Sequence, residues 1–197
     1  MCPRPTICLG EMWWHMAETA IRQSTSVLER LNEASPDQFI ALLGAIVEHS
    51  PWVAEAAASR RPFSTIDLLH QTMMQIVAEA PPEQKLALIQ AHPELAGREA
   101  VAGEMTPAST SEQTRLGLDR LPAEEFDEIS RLNRTYRERF GFPCIVALRL
   151  HQSRREVLRE MERRLVNDRA TEIGLALEQI SYIARGRLQK LVEGGTV

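Results

Sequence analysis

Helix punctuation constrains this chain more than any other feature. Ser35-Pro36-Asp37-Gln38 sets a capping residue before a proline at the first helical position. Phe39, Leu42, Leu43, Ile46 and Val47 then follow at spacings of three and four, as one apolar stripe. Ser50-Pro51 opens a short helix carrying Trp52 and Val53. Ser64 or Thr65 can cap a helix with Ile66, Leu69, Met73, Ile76 and Val77. Pro81-Pro82 ends that helix and opens another, with Leu86, Leu88 and Ile89 inside. Helices resume at Ser109 and at Pro122. The second should reach Phe140, with Gly141 to end it and Pro143 to prevent its continuation. Two long helices, 151–167 and 169–192, close the chain. Cys144-Ile145-Val146-Ala147-Leu148 is apolar enough for a strand, but no other segment alternates to pair with it. It reads as an extended entry into a buried helix. The expected fold is all-α: a compact single-domain bundle of about eight or nine helices.

Residues 1–28 are expected to form an N-terminal extension, in part disordered, ahead of a helical domain at 29–193. The opening residues lack a clean apolar core, so they do not read as a signal peptide. The stretch from His92 to Pro107 has no periodicity and reads as a long loop, the kind that is usually functional or disordered. A chain of 197 residues is expected to be one domain, or at most a domain with an appendage. No apolar run approaches the ~18 residues a membrane helix needs, so no membrane partner is expected. Cys2, Cys8 and Cys144 are odd in number and lack a CxxC pair. Neither a disulfide framework nor a metal site is expected, and a cytoplasmic location follows.

The net charge of −4 is unevenly spread, with 9 basic against 19 acidic residues over 1–130 and 14 against 7 over 131–190. Such a basic half could face nucleic acid. Here the arginines alternate with glutamates on helical spacing, as in Arg154, Arg155, Glu156, Arg159, Glu160, Glu162 and Arg163. That pattern reads as a solvated helix face, and no nucleic-acid partner is expected. A basic cluster in an acidic chain could also hold a small anion.

GxGxxG, Walker, HExxH and GxSxG motifs are absent. Three local constellations remain. In His92-Pro93-Glu94-Leu95-Ala96-Gly97 the proline forces His92 out of the helix, placing an imidazole at a helix C-terminus. The helix dipole favours the imidazolium there, so His92 could act as a general acid near neutral pH. Ser109-Thr110-Ser111-Glu112-Gln113 fits a capping box, Ser109 with Glu112. The same helix start could bind a carboxylate, with Glu112 as an acid–base group and Gln113 as an amide that reads a urea-like ligand. Around Leu132-Asn133, Tyr136 and Phe140-Gly141-Phe142-Pro143, irregular backbone enters apolar surroundings, where a polar ligand could satisfy its N–H and C=O groups. Taken singly, helix partner, cap and core packing explain each.

In series, however, these elements resemble one family, the 2-oxo-4-hydroxy-4-carboxy-5-ureidoimidazoline (OHCU) decarboxylases of uric acid degradation. The resemblance spans about residues 30–192. It includes Glu48-His49-Ser50-Pro51-Trp52, Arg61-Pro62-Phe63, the HPxLAG and SxxEQ elements, Leu132-Asn133 with Tyr136, and Phe140-Gly141-Phe142-Pro143. It implies an all-α, cofactor-independent carboxy-lyase, commonly a homodimer, that forms (S)-allantoin from a small-molecule ureidoimidazoline. By motif position, the resemblance makes His92 the proton donor and Glu112 its acidic partner. Pro93, Ser109, Thr110, Ser111, Glu112 and Gln113, with Cys144, Ile145, Val146, Ala147 and Leu148, become the substrate cradle. A late basic residue would hold a substrate carboxylate or carbonyl; Arg187 is the choice by position, with Arg149 second. Two departures stand out: Cys144 where the family usually has Phe, and Leu116 where Ala is more usual. Cys144 lacks a neighbouring His in sequence and reads as packing. Two other readings remain: a non-catalytic helical module that binds a purine-derived ligand or a pathway partner, and a DNA-binding regulator.

Overall fold

The computed structural model describes residues 27–194. Among these residues the chain forms ten α-helical segments, one short 3-10 turn and no strand. They are α1 (27–33), α2 (Pro36–Leu43), α3 (Trp52–Ala58), α4 (Ile66–Glu79), α5 (Pro82–Gln90), α6 (Arg98–Ala102), α7 (Pro107–Arg115), α8 (Ala123–Phe140), α9 (Arg154–Arg164) and α10 (Arg169–Val192). The 3-10 turn is Leu148–Leu150. The expected all-α fold is present, and no described helix is long and apolar enough to cross a membrane.

Most helix starts follow the local chemistry. Ser35 caps α2 in a full capping box with Gln38, and Pro36 occupies the first turn. Of the two candidates for α4, Thr65 is the cap, accepting from Leu68 N–H. Gly141 ends α8 at φ 82°, a left-handed conformation that glycine adopts without strain. Three expectations differ. The loop after His92 contains α6, a single turn that buries no residue and therefore shows no apolar period. Helix α7 starts at Pro107 under a Thr106 cap, two residues before Ser109. Helix α1 crosses the expected boundary at residue 28, with Val27 and Leu31 buried in the core. The rest of the expected extension, residues 1–26, lies outside the described residues.

The last helix organises the molecule. Its buried positions are Glu172, Ala176, Ile180, Ala184, Arg187 and Leu188, a near-continuous i, i+4 stripe. The small Ala176 and Ala184 let the helix lie close to α4, α5 and α8. Apolar side chains including Phe39, Leu69, Met73, Ile89, Tyr136, Phe142 and Met161 fill the space around it. At ~25 cal/mol per Å² of buried apolar surface, such packing is the main favourable contribution to folding. The stripe also carries one charge at each end, Glu172 and Arg187, and each is the centre of a buried polar network.

The Glu172 network lies under the irregular segment 143–147. Arg164 donates to Glu172 at 2.7 Å, and both side chains are fully buried. Tyr136 donates to Glu172, and Asn167 donates to its other oxygen at 2.7 Å. Arg164 also donates to the Ile145 carbonyl at 2.6 Å, and Ala147 N–H donates to Gln179 at 2.9 Å. The protein itself therefore supplies partners that the sequence reading left to a ligand.

Candidate active site

The polar centre at the other end of the stripe is Arg187. Its Nη1 donates to Glu48 Oε2 at 2.6 Å and to the Ala45 carbonyl at 3.3 Å. Its Nε and Nη2 form a fork on Glu112, 3.0 Å on each side. Nη2 also donates to Ser109 Oγ at 3.1 Å. A guanidinium has five N–H groups, and five acceptors surround this one.

Glu48 is the residue that sequence reasoning missed. It belongs to the Glu48-His49-Ser50-Pro51-Trp52 block, yet received no role. It is 1% exposed and accepts from Thr106 Oγ1 at 2.6 Å and Ser109 Oγ at 3.0 Å, besides Arg187. Burial pushes its carboxyl up, but the Arg187 charge and the Thr106 and Arg187 hydrogen bonds outweigh that and hold it below the usual range. The available signal was its position directly after Ile46 and Val47, where a carboxylate among core residues requires partners. The Thr106 cap explains why Ser109 is free to join this network. One Thr106 hydroxyl accepts from Ser109 N–H and donates to Glu48, so the expected Ser109–Glu112 capping box does not form.

His92 follows α5 and is 6% exposed. Its Nδ1 lies 2.9 Å from the Leu88 carbonyl, which can only accept, so Nδ1 carries the proton. Nε2 is then bare, buried and without a hydrogen-bond partner among the described residues. The expectation of an imidazolium stabilised by the helix end is reversed. Burial dominates and pushes the pKa down to about 4, despite the Leu88 hydrogen bond and the negative charge of Glu48.

A cavity of about 30 Å³ lies between these groups. Its walls include His92, Pro93, Ser109, Glu112, Gln113, Cys144, Ile145, Val146, Leu148 and Arg187, together with Leu95 and Ile183. Three residues of the expected cradle do not reach it. Thr110 is exposed and donates to the Thr106 carbonyl. Ser111 lines an outer pocket, and Ala147 is packed in the core. The outer pocket, about 350 Å³, shares Glu112, Leu148 and Ile183 with the cavity, so these three form the wall between the two spaces. Arg149 lies in the outer pocket and donates to Gln189 at 2.8 Å. An open cleft of about 500 Å³ shares His92 and Pro93 with the cavity and is lined also by Glu48 and His49.

Gln113 has a different task from the expected reading of a ureido group. Its Oε1 accepts from Ala96 N–H at 2.8 Å, and its Nε2 donates to the Glu94 carbonyl at 3.2 Å. Asn133 donates to the Leu95 carbonyl at 2.8 Å. Together they hold the His92–Gly97 loop, in which Ala96 adopts φ 48°. Cys144 is fully enclosed, and burial pushes its thiol up to about 12, so it stays protonated at neutral pH.

Known proteins resemble this chain over most of its length. A family model described as OHCU decarboxylase matches residues 32–189. The 2-oxo-4-hydroxy-4-carboxy-5-ureidoimidazoline decarboxylase of Haloferax volcanii is 42% identical over 161 residues, covering 82% of this chain and 93% of its own. The mouse (Mus musculus) protein of that name is 35% identical over 163 residues, covering 83% and 91%. A crystal structure of (S)-allantoin synthase matches with a TM-score of 0.66 at 30% identity, over 82% of this chain; the matched region spans 52% of that longer chain. A crystal structure of OHCU decarboxylase in the presence of (S)-allantoin shares the fold, with a TM-score of 0.61 at 22% identity, covering 75% of this chain and 95% of its own.

Proposed function

Because the chain belongs to the OHCU decarboxylase family, we propose that it converts 2-oxo-4-hydroxy-4-carboxy-5-ureidoimidazoline into (S)-allantoin and carbon dioxide in urate breakdown. One observation carries this reading. A histidine with a bare ring nitrogen shares a cavity with the Arg187–Glu112 pair, and all three residues sit in the region the family model matches.

The reaction breaks the bond between the carboxylate and the ring carbon that bears the hydroxyl. The electron pair moves into the adjacent C=N bond, forming a C=C bond and leaving the negative charge on nitrogen. The substrate stabilises its own carbanion, so the chemistry needs no cofactor. The enol then loses its hydroxyl proton while the neighbouring carbon and the nitrogen each gain one. One proton is consumed per carbon dioxide released. The proton that reaches carbon sets the stereocentre.

Arg187 holds the substrate carboxylate, Glu112 accepts a hydrogen bond from the hydroxyl, and His92 delivers the proton to carbon. With Nε2 bare in the empty site, His92 begins as an acceptor. A substrate anion beside it raises its proton affinity, so it becomes a donor as the site fills. Pro93, Ser109 and the segment from Cys144 to Leu148 form the walls that orient the ring and exclude water.

The same reading includes a homodimer, from the family resemblance, and a cytoplasmic location, from the sparse cysteines. It includes no nucleic-acid partner, from the acidic charge. Sedimentation velocity tests the dimer. Activity is tested by generating the ureidoimidazoline freshly from urate, adding this protein, and following circular dichroism. A chiral signal far faster than spontaneous decay supports the enzyme. Racemic product at the spontaneous rate identifies a module without turnover.

A further inference from the structure

Arg187 has no free donor with which to meet a substrate carboxylate. Its five N–H groups already face Glu112 twice, Ser109, Glu48 and the Ala45 carbonyl. A third carboxylate added to this cluster would place three negative charges around one cation. The cavity has room for about one water molecule, far less than a substituted imidazoline ring needs. Something must therefore leave before the substrate can enter.

The two carboxylates are not equally able to leave. Glu48 is 1% exposed, and its departure would strand the Thr106 and Ser109 hydroxyls as well as Arg187. Glu112 is 23% exposed, and among the described residues both of its side-chain hydrogen bonds come from Arg187. It also stands in the wall shared with the 350 Å³ outer pocket. Turning off the guanidinium toward the outer pocket frees one face of Arg187 and opens that wall, while the Glu112 carboxylate stays at the edge of the widened space, within reach of the substrate hydroxyl.

We propose that Glu112 is a built-in occupant of the carboxylate position on Arg187, displaced only by a ligand that brings a carboxylate of its own. This rests on the reading of Arg187 as the partner of the substrate carboxylate, and it makes Glu112 a specificity-determining residue as well as an acid–base one. A carboxylated imidazoline exchanges one bidentate ion pair for another. A ring without a carboxylate cannot make that exchange. Once carbon dioxide has left, the neutral product holds no claim on the fork, and Glu112 returns to Arg187 and closes the wall. The site thus selects substrate over product by the group that the reaction removes.

Because the internal competitor is tethered, it lowers the apparent affinity for every carboxylated ligand by the fraction of time that the fork is free. Hydantoin-5-acetate and hydantoin form a matched pair with and without a carboxylate, and titration calorimetry reads their binding. In Glu112→Gln the neutral side chain no longer competes. Hydantoin-5-acetate should bind at least tenfold more tightly than to the unaltered protein, while hydantoin changes less than twofold. Unchanged or weaker binding of the carboxylate would overturn the proposal.

Crystals of the unaltered protein soaked with hydantoin-5-acetate give an independent reading should the variant fail to fold. The ligand carboxylate on Arg187 with the Arg187–Glu112 hydrogen bonds broken supports displacement. An intact Arg187–Glu112 pair beside bound ligand refutes it. Turnover of the ureidoimidazoline by the unaltered protein is scored separately. Turnover without the affinity gain sinks displacement alone, whereas the gain without turnover sinks the assigned activity.

Discussion

His92 uses one ring nitrogen to fix the state of the other. The Nδ1–H bond to Leu88 sets the tautomer, and burial keeps Nε2 unprotonated at neutral pH. Asparagine can replace the Nδ1–H with an amide N–H and keep the bond to Leu88, but it offers nothing that can carry a proton. His92→Asn should therefore fold normally and lose at least about 100-fold in turnover, the usual range for a positioned acid–base group. Its product should be racemic by circular dichroism. A folded variant that still gives stereospecific product would remove His92 from the chemistry. Glu48 acts one step further out, by holding Arg187 and Ser109 in place. Glu48→Gln leaves a neutral amide against a buried guanidinium and should cost about 3 kcal/mol of stability in urea denaturation. His92 taken singly reads as a helix-end partner, and it was singled out only because the HPxLAG, SxxEQ and FGFP elements occur in series. Glu48 was not singled out, because its meaning depends on Arg187, 139 residues later, and on hydroxyls from a third segment.

At the level of elements, helix boundaries with a single local solution were readable. Ser35-Pro36 and Thr65 satisfy their own helix starts, and nothing distant alters that. Helix α7 had two local solutions. Ser109-x-x-Glu112 is a valid capping box, but Thr106-Pro107 is an equally good start, and it releases Ser109 and Glu112 to bind Arg187. Tertiary bonds decided between them. Thr106→Ala removes the cap and the hydroxyl on Glu48 together. It should lose about 1 kcal/mol for the cap and more for Glu48, whereas Thr106→Ser should restore most of the loss. Chemical denaturation of the two variants separates them. The segment 143–147 was legible as extended chain, but its support was not, since Arg164 and Gln179 come from helices later in sequence. Glu172→Gln leaves Arg164 buried without a charged partner and should cost about 3–5 kcal/mol.

The whole molecule folds around charge that it can keep only while folded. Arg187 sits between two carboxylates, Arg164 pairs with Glu172, and His92 is held neutral. No single element supplies any of these groups with all its partners, so the site forms only as the bundle does. This ties the candidate site to stability through pH. Below about pH 6.5 the unfolded chain takes up a proton on His92, whereas the folded chain resists it until about pH 4. Protons then favour the unfolded state, and stability falls as pH drops through that window. At pH 5 this one residue should have removed about 2 kcal/mol relative to pH 7.5. Glu48 acts in the same direction lower down. Its folded carboxyl is held below the ordinary value of 4.5, so the stability it contributes is present above that pH and lost as acid titrates the pair. Urea denaturation at pH 7.5, 6 and 5 should show the decline in the unaltered protein, and His92→Asn should make it shallower, the remainder coming from His70, whose imidazole burial also holds below its usual range. A profile that stays level between pH 7.5 and 5 would mean that His92 is not a buried neutral imidazole, and the proton-transfer scheme built on its bare nitrogen would fail with it.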